Sequence, residues 1–167
     1  MRNQTFGWLL PVLLFYIGAP SARAQKEGDW AIGCAFGPAL PMKGLPKTTR
    51  GSYGLRLIHY VAVPFTIAFE YDRWDFGQKD KIEAIGISER NAFLRWRIKL
   101  FFEMGTGLYR VRGTGSDRLG FSFGGGVGLS ISSKVSLDLV ARHRSFDAPG
   151  GSVSFLGLRA AIAVRIA

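Results

Sequence analysis

The sequence predicts an all-β fold, an eight-stranded antiparallel up-and-down transmembrane β-barrel, and three observations support this. Apolar residues alternate with small or polar residues through most of the chain, which is the period of a strand with two unlike faces. The chain contains 22 glycines and 13 phenylalanines, and glycine costs about 1 kcal/mol per helical position whereas phenylalanine favours strands. Beyond residue 25, no stretch is apolar enough for a membrane-spanning helix.

Composition excludes several other classes of protein. The length of 167 residues suits one domain, and 47% hydrophobic with 20% charged residues excludes a disordered chain. The only cysteine, Cys34, permits neither an intramolecular disulfide nor a cysteine-based metal site. We expect Cys34 to be a small apolar residue on the lipid-facing side, and we expect no metal and no cofactor.

The first 24 residues have the pattern of a secretory signal peptide. Arg2 supplies a positive start, an apolar core follows at 6–17, and Ala22-Arg23-Ala24 forms a small-x-small cleavage site. The apolar run is shorter than the roughly 20 residues that a membrane-spanning helix needs. We therefore expect a signal peptide over residues 1–24 and a barrel domain over residues 25–167; a buried N-terminal helix is the alternative.

Seven segments alternate clearly enough to be predicted as strands. They are 29–37, 52–61, 65–74, 100–108, 121–132, 135–145 and 155–166. An eighth strand is predicted between Ile82 and Ile98, where the apolar residues change parity. A bulge near 89–91 produces such a change because it adds one residue to one strand. Alternatively, the strand starts late and 82–88 belong to a loop.

The predicted connections alternate in length. Those at 38–49, 75–81, 112–120 and 147–151 are longer than those at 61–64, around Lys99 and at 132–134. In transmembrane barrels the short turns lie on the periplasmic side and the longer loops lie outside. The alternation therefore favours an antiparallel meander that crosses a membrane.

The two faces of the strands distinguish a membrane barrel from a soluble one. In a soluble barrel the apolar face fills the interior, and the glycines of 124–128 would face water, where they only weaken the strand. In a membrane barrel the apolar face contacts lipid, and the small interior takes small or mutually paired polar side chains. An open sheet cannot exist in lipid, so the sheet is expected to close. The aromatic residues expected at the edges of the lipid-facing band are Trp30, Tyr53, His59, Tyr71 and Trp96.

The C-terminal part of the chain resembles the bacterial outer-membrane β-barrel superfamily. The resemblance is carried by FFEMGTGLYRV (101–111), LGFSFGGGVGLSIS (119–132), KVSLDLVARHRSF (134–146) and SFLGLRAAIAVRI (154–166). This superfamily includes the small eight-stranded barrels similar to OmpX and to the membrane domain of OmpA. The resemblance implies a monomer in the bacterial outer membrane, placed there by the barrel-assembly machinery. Such barrels usually end in an aromatic residue, whereas this sequence ends in Arg165-Ile166-Ala167.

A weaker resemblance concerns the outer-membrane lipid A deacylases, which are also eight-stranded barrels. His143 and Ser145 match their His-x-Ser motif, in which serine is the nucleophile and histidine the general base. Both residues are expected on the lipid-facing side of one strand. The family's motif continues with asparagine, where this sequence has Phe146, and no acidic residue lies between 150 and 167 to orient the histidine. We therefore expect no enzyme, and keep a lipid A 3-O-deacylase-like esterase as an alternative.

The inward-facing charges form the main candidate site. They are Arg56, Glu70, Asp72, Glu103, Asp138, Arg142, Arg159 and Arg165. The expected pairs are Arg56 with Glu70, Asp138 with Arg159, and Glu103 with Arg95 or Arg97. Two functions fit these charges: a gate in a narrow pore, or an interior filled by ions that satisfy one another. We favour the second because single buried ions are costly.

A set of loop-side cations predicts the outer partner. They are Lys43, Lys47, Arg50, Lys79, Lys81, Arg110, Arg112 and Arg118. Lysine and arginine bind phosphate strongly, so the expected partners are outer-membrane lipid and lipopolysaccharide, and not nucleic acid. The sequence thus predicts an outer-membrane barrel with a structural or surface-interaction role. A narrow diffusion channel, the esterase and a soluble exported ligand-binding barrel are the alternatives.

Overall fold

Eight antiparallel strands close into one barrel. The computed structural model describes residues 27–46, 50–62, 64–77, 81–93, 98–112 and 117–166. The strands are β1 Trp30–Lys43, β2 Arg50–Ala62, β3 Phe65–Asp75, β4 Lys81–Ala92, β5 Ile98–Val111, β6 Asp117–Ser130, β7 Val135–Ala148 and β8 Gly151–Arg165. Each strand pairs with its neighbours in chain order, and β1 also pairs with β8, with Ala31 opposite Arg165. The predicted fold class is confirmed, whereas the predicted signal peptide lies outside the described residues.

The side chains alternate between an apolar outer face and a polar or small inner face. Phe121 and Leu139 point outward and are 63% and 60% exposed, and Cys34 is also exposed on the outer face. Their chain neighbours Ser122 and Asp138 point inward and are buried. The alternation follows from the strand period of two residues. No described helix is long and apolar enough to cross a membrane.

The fourth strand is regular, which corrects both predictions for this segment. Strand β4 pairs without a shift with β3, from Asp75 opposite Lys81 to Phe65 opposite Asn91, and its register with β5 is also continuous. There is therefore no bulge near 89–91, and 82–88 are not a loop. The change in parity arises because the strand ends at Ala92 and the next strand begins only at residue 98. Lys99, where a turn was predicted, lies within β5.

The first strand is longer than the predicted strand 29–37, because the prolines that follow do not end it. Strand β1 continues through Pro38 and Pro41 to Lys43, so the first half of the predicted loop 38–49 is strand. Proline donates no hydrogen bond and is tolerated at strand ends and at bulges. The register with β8 shifts between Pro41 and Lys43, which places an irregularity where the second proline lies.

The connections are short at both ends of the barrel. At one end, here called the loop end, they cover 44–49, 76–80, 112–116 and 149–150; at the other, the terminal end, they cover 63–64, 93–97 and 131–134. The predicted alternation in length is wrong in detail, because 149–150 is as short as 63–64 and 93–97 is as long as 76–80. Two residues suffice at 149–150, where the next residue, Gly151, has a φ of +119° that favours glycine.

The interior contains two apolar regions with charges between them. The larger region lies toward the loop end and consists of Ala39, Trp74, Phe76, Ile82, Ala84, Tyr109, Phe146, Val153 and Phe155. A smaller one, formed by Ala31, Ile58 and Ala163, lies at the terminal end. The buried charged side chains occupy the middle of the lumen, on strands β2, β3, β5, β7 and β8.

Candidate functional site in the barrel lumen

At the centre of the lumen, the carboxylate of Glu70 contacts side chains from three other strands. Nη1 of Arg142 donates to its Oε2 across the barrel at 2.6 Å. Nε of Arg56, directly opposite on β2, lies 3.4 Å from its Oε1. The hydroxyl of Ser88 donates to the same oxygen at 2.7 Å. Each of these residues lies at an inward position of its strand, and the register between the strands brings them to one level.

A second carboxylate, Glu103, lies among the same arginines. Its Oε1 is 3.7 Å from Nη2 of Arg56 and 3.6 Å from Nη1 of Arg142. Its Oε2 is 3.1 Å from Nη2 of Arg90, whose Nη1 is 2.5 Å from Asp138. The guanidinium of Arg90 also lies 3.8 Å from the centre of the Phe101 ring. These contacts extend the ionic network from the centre toward the terminal end.

A separate ionic layer surrounds Asp72, nearer the loop end. Nη2 of Arg144 donates to one carboxylate oxygen at 3.0 Å, and Nη1 of Arg159 donates to the other. Both guanidinium groups lie against the ring of Trp74, at 4.8 and 5.1 Å from its centre. The arrangement combines ion pairs with cation–π contacts in a region without solvent access.

An aromatic cluster covers the Asp72 layer on the loop side. Trp74 packs edge-on against Phe155 with ring centroids 5.0 Å apart, and Phe76 packs on the same Phe155 at 5.3 Å. Tyr109 stacks on Phe146 at 4.8 Å. Trp74 and Phe155 are both 0% exposed. The rings therefore lie on the loop side of the paired ions in the lumen.

The structure brings most of the sequence-predicted charges together, but with partly different partners. Arg56, Glu70, Asp72, Glu103, Asp138, Arg142 and Arg159 are all buried in the lumen. The expected pair Arg56 with Glu70 is formed. Asp138 pairs with Arg90 and Arg159 with Asp72, so the expected Asp138–Arg159 pair is wrong. Arg95 and Arg97 lie outside the described residues.

The eighth predicted charge, Arg165, lies apart from the central network. Its Nη1 is 3.2 Å from Asp29 at the terminal end, where the barrel closes between β1 and β8. Its position near the end of β8 explains the separation, because two further inward positions lie between it and Arg159 on the strand. Arg165 and Asp29 therefore form a pair near the terminal mouth.

Sequence reasoning missed Arg90 and the aromatic cluster. Arg90 was obscured by the predicted bulge, although it lies two residues after the inward-facing Ser88 on a regular strand. Trp74, Tyr109, Phe146 and Phe155 likewise occupy inward parities. A large ring was not expected inside a narrow barrel, and only the register shows that these rings lie at one level.

His143 and Ser145 lie on the outer face of β7, as predicted. The His143 ring packs on Phe123 of β6, with centroids 5.0 Å apart and planes tilted by 40°. Its Nδ1 is buried and has no hydrogen-bond partner within the described part of the chain. The nearest carboxylate in sequence, Asp147, is exposed toward the loop end. These residues do not form an oriented nucleophile and base.

The outer face carries a row of opposite charges close to the loop end. In register across β3 to β6 lie Arg73, Glu83, Arg110 and Asp117. Arg73 is 3.3 Å from Glu83, and Nε of Arg110 is 2.6 Å from Asp117. We call these four residues the ionic row. Of the predicted loop-side cations, Lys43, Arg112 and Arg118 are exposed toward the loop end, whereas Lys47 and Lys79 lie outside the described residues.

Aromatic residues lie at both edges of the outer apolar face. At the terminal end Trp30 stacks on His59 across β1 and β2, with centroids 4.3 Å apart. Toward the loop end Tyr53 is exposed beside the ionic row, opposite Arg73 in register. Trp96, also expected at an edge, lies outside the described residues. Among the described residues there is no group of three or more potential metal-ligating side chains.

Comparison with known proteins gives likeness in structure only. No family model matches the chain, and no curated protein matches it. The crystal structure of neisserial surface protein A is similar, with a TM-score of 0.72 and 20% identity over 84% of this chain and 100% of that chain. The N-terminal barrel domain of Pseudomonas aeruginosa OprF has a TM-score of 0.62 and 9% identity, over 85% of this chain and 100% of that chain.

A third similar structure is Ail, the attachment invasion locus protein of Yersinia pestis, in complex with the heparin analogue sucrose octasulfate. It has a TM-score of 0.55 and 11% identity, over 84% of this chain and 100% of that chain. Likeness at these identities establishes the fold, and the resemblance to small eight-stranded barrels expected from the sequence is confirmed in that sense. The chain therefore has the fold of the small β-barrels of the bacterial outer membrane.

Proposed function

We propose that this chain is an integral outer-membrane protein with a structural or surface-interaction role, whose lumen does not conduct freely. The observation that carries this proposal is the filled interior. Trp74 and Phe155 are fully buried toward the loop end, and Glu103 and Arg144 are each 1% exposed below them. In an eight-stranded barrel the interior is just wide enough for side chains to fill it.

A narrow pore is the alternative that the filled interior argues against. An ion crossing the lumen would have to separate the Glu70–Arg142 pair and displace the rings of Trp74 and Phe155. Breaking a buried pair leaves an uncompensated charge, which costs about 3–5 kcal/mol. A conducting path through the lumen that requires this pair to separate is therefore expected to open rarely.

Planar-bilayer recording tests this proposal. We expect the wild-type barrel to give no stable openings, and the double variant Trp74→Ala/Phe155→Ala to give more frequent ones because it removes the aromatic cluster. Phe69→Ala, which removes a ring from the outer face, is the matched control and should remain silent. Large, long-lived openings of the wild-type protein would contradict a filled lumen.

The outer surface suits a phosphate-bearing partner, and we propose lipopolysaccharide. Lys43, Arg112 and Arg118 are exposed near the loop end, above the belt of apolar side chains that faces lipid. Arginine presents paired donors that match phosphate geometry. The complex of Ail with sucrose octasulfate, a sulfated sugar, supports a polyanionic partner for a barrel of this fold. With the loop end facing outward, these cations lie at the depth of the phosphorylated headgroups.

Lipopolysaccharide binding is measurable as the phosphate that stays with the protein during gel filtration in detergent. We expect the double variant Arg112→Gln/Arg118→Gln to retain less than wild type, and enzymatically dephosphorylated lipopolysaccharide to be retained poorly by both. Lys134→Gln, which removes an exposed cation at the terminal end, should leave retention unchanged. Equal retention by all three proteins would refute a phosphate site at the loop end.

We further infer that the barrel performs no lipid A deacylation, because His143 packs on Phe123 and no carboxylate among the described residues bonds to its Nδ1. Mass spectrometry of lipid A from cells that express the wild type or Ser145→Ala tests this. We expect identical spectra. Loss of an acyl chain with the wild type only would establish the esterase.

A further inference from the structure

The Asp72 layer carries one positive charge in excess. Two guanidinium groups, those of Arg144 and Arg159, share the single carboxylate of Asp72, and all three side chains are buried. The central network below is balanced, since three arginines contact three carboxylates there: Arg56, Arg90 and Arg142 with Glu70, Glu103 and Asp138. Among these ion-paired side chains, the surplus cation therefore lies in the Asp72 layer.

The buried polar atoms left without a partner in this layer are all donors. Among the described residues, no hydrogen-bond partner meets Nε1 of Trp74, Nη1 of Arg144, or Nε and Nη2 of Arg159. A buried polar group without a partner is destabilising, and more so when it is charged. A small group that only accepts hydrogen bonds and carries a negative charge would satisfy the donors and cancel the surplus charge together.

Two of these donors, Nη1 of Arg144 and Nε of Arg159, lie beside Gly157 on β8. A Cβ built on Gly157 would lie 3.1 Å from Nη1 of Arg144 and 3.9 Å from Nε of Arg159. Both guanidinium groups also lie against the Trp74 ring, at 4.8 and 5.1 Å from its centre. Gly157, which carries no side chain, thus lies beside two unpartnered donors of arginines on the neighbouring strands β7 and β8.

We propose that the Asp72 layer binds one small monovalent anion of the halide class, such as chloride, between Arg144, Arg159 and Trp74. The anion accepts hydrogen bonds from the unpartnered N–H groups of Arg144 and Arg159 beside Gly157 and neutralises the layer. The rings of Trp74 and Phe155 shield it from the loop end, and attraction between ions is stronger in such a region than in water. The site is independent of the proposed outer-surface role, because it lies in the lumen and does not use the loop-side cations.

Heat denaturation of the purified barrel in detergent tests the site. The midpoint is compared in sodium chloride, sodium bromide and sodium gluconate at one ionic strength, since gluconate is too large for the lumen and screens charges equally. A ligand that binds only the folded state stabilises it in proportion to the logarithm of its concentration above the dissociation constant. We expect the wild-type midpoint to rise with halide and not with gluconate. Equal midpoints in the three salts overturn the proposal.

Two variants assign the effect to this layer. Arg144→Met removes the surplus charge and leaves the Asp72–Arg159 pair, so the halide dependence should disappear. Gly157→Ala keeps every charge but places a methyl group in the space beside the donors, so the dependence should weaken. The matched controls are Arg110→Met in the exposed ionic row and Gly51→Ala, where a Cβ meets nothing within 4 Å. Both should keep the wild-type dependence, and a dependence retained in Arg144→Met overturns the proposal.

A direct measurement covers the case in which a lumenal variant fails to fold. Wild-type crystals grown in sodium bromide should show an anomalous difference peak within hydrogen-bond distance of Arg144 and Arg159. Density without anomalous signal at that place would identify water and overturn the proposal. A peak only at exposed cations such as Arg112 would overturn it as well.

Discussion

Arg142 and Glu70 form an ion pair across the lumen, with Nη1 2.6 Å from Oε2, although 72 positions separate them in the chain. Arg142 lies on β7 and Glu70 on β3, strands that are not neighbours in the sheet. The pair therefore holds opposite walls of the barrel together, in addition to the hydrogen bonds between adjacent strands. Its position at the centre of the ionic network determines what its removal does.

We expect Glu70→Gln to lower the free energy of unfolding by about 3–5 kcal/mol, because Arg56 and Arg142 lose their shared carboxylate in a buried place. Urea-induced unfolding in lipid vesicles, followed by tryptophan fluorescence, measures the change. Glu83→Gln removes the same charge from the exposed ionic row and should have little effect. Similar losses of unfolding free energy in both variants would show that the buried Glu70 network stabilises the barrel no more than an exposed ion pair does.

The aromatic cluster should contribute through packing. We expect Phe155→Ala to cost about 3–5 kcal/mol in the same unfolding measurement, because it leaves a cavity next to Trp74 and Phe76 that the closed barrel cannot collapse. Phe121→Ala, on the outer face, should cost less because lipid chains fill the space. A larger loss of unfolding free energy for Phe121→Ala would show that side-chain packing on the outer face stabilises the protein more than packing in the lumen does.

The glycines of β6 are expected to be required for close approach of neighbouring strands. A Cβ on Gly126 would lie 2.2 Å from the carbonyl oxygen of Leu139 and 2.7 Å from the ring of Phe101. Gly126→Ala should therefore reduce the folded yield and the stability by about 1–3 kcal/mol, as overpacking does. Gly150→Ala, where a Cβ meets nothing within 4 Å, is the control. An unchanged heat-modifiable band on gels for Gly126→Ala would contradict this.

The outer face should reject charge in a depth-dependent way. Leu139 is 60% exposed in the middle of β7, and Leu139→Arg should cost about 2–4 kcal/mol in a bilayer, against about 0–1 kcal/mol for Leu119→Arg close to the loop end. The folded fraction in vesicles across a urea series gives both values. Equal costs at the two depths would mean that the apolar face does not contact hydrocarbon.

The sequence by itself determined the face to which each side chain of a strand points, and from this the closed barrel with an apolar outer face. Parity is a local property, since successive side chains alternate whatever lies across the sheet. It therefore placed seven of the eight strands and nearly all the buried charges correctly. Parity failed to place Arg90 and Ile98, because the end of one strand and a bulge within a strand produce the same change in the pattern of apolar residues.

Only the tertiary structure decided which charges pair. Arg159 meets Asp72, 87 positions away, and Asp138 meets Arg90 rather than Arg159. Long arginine side chains reach across a narrow lumen, so their partners depend on barrel diameter, register and the level of each residue along the axis. None of these is encoded in the spacing along one strand. The surplus charge around Asp72 likewise appears only when the two arginines that share it are seen at one level.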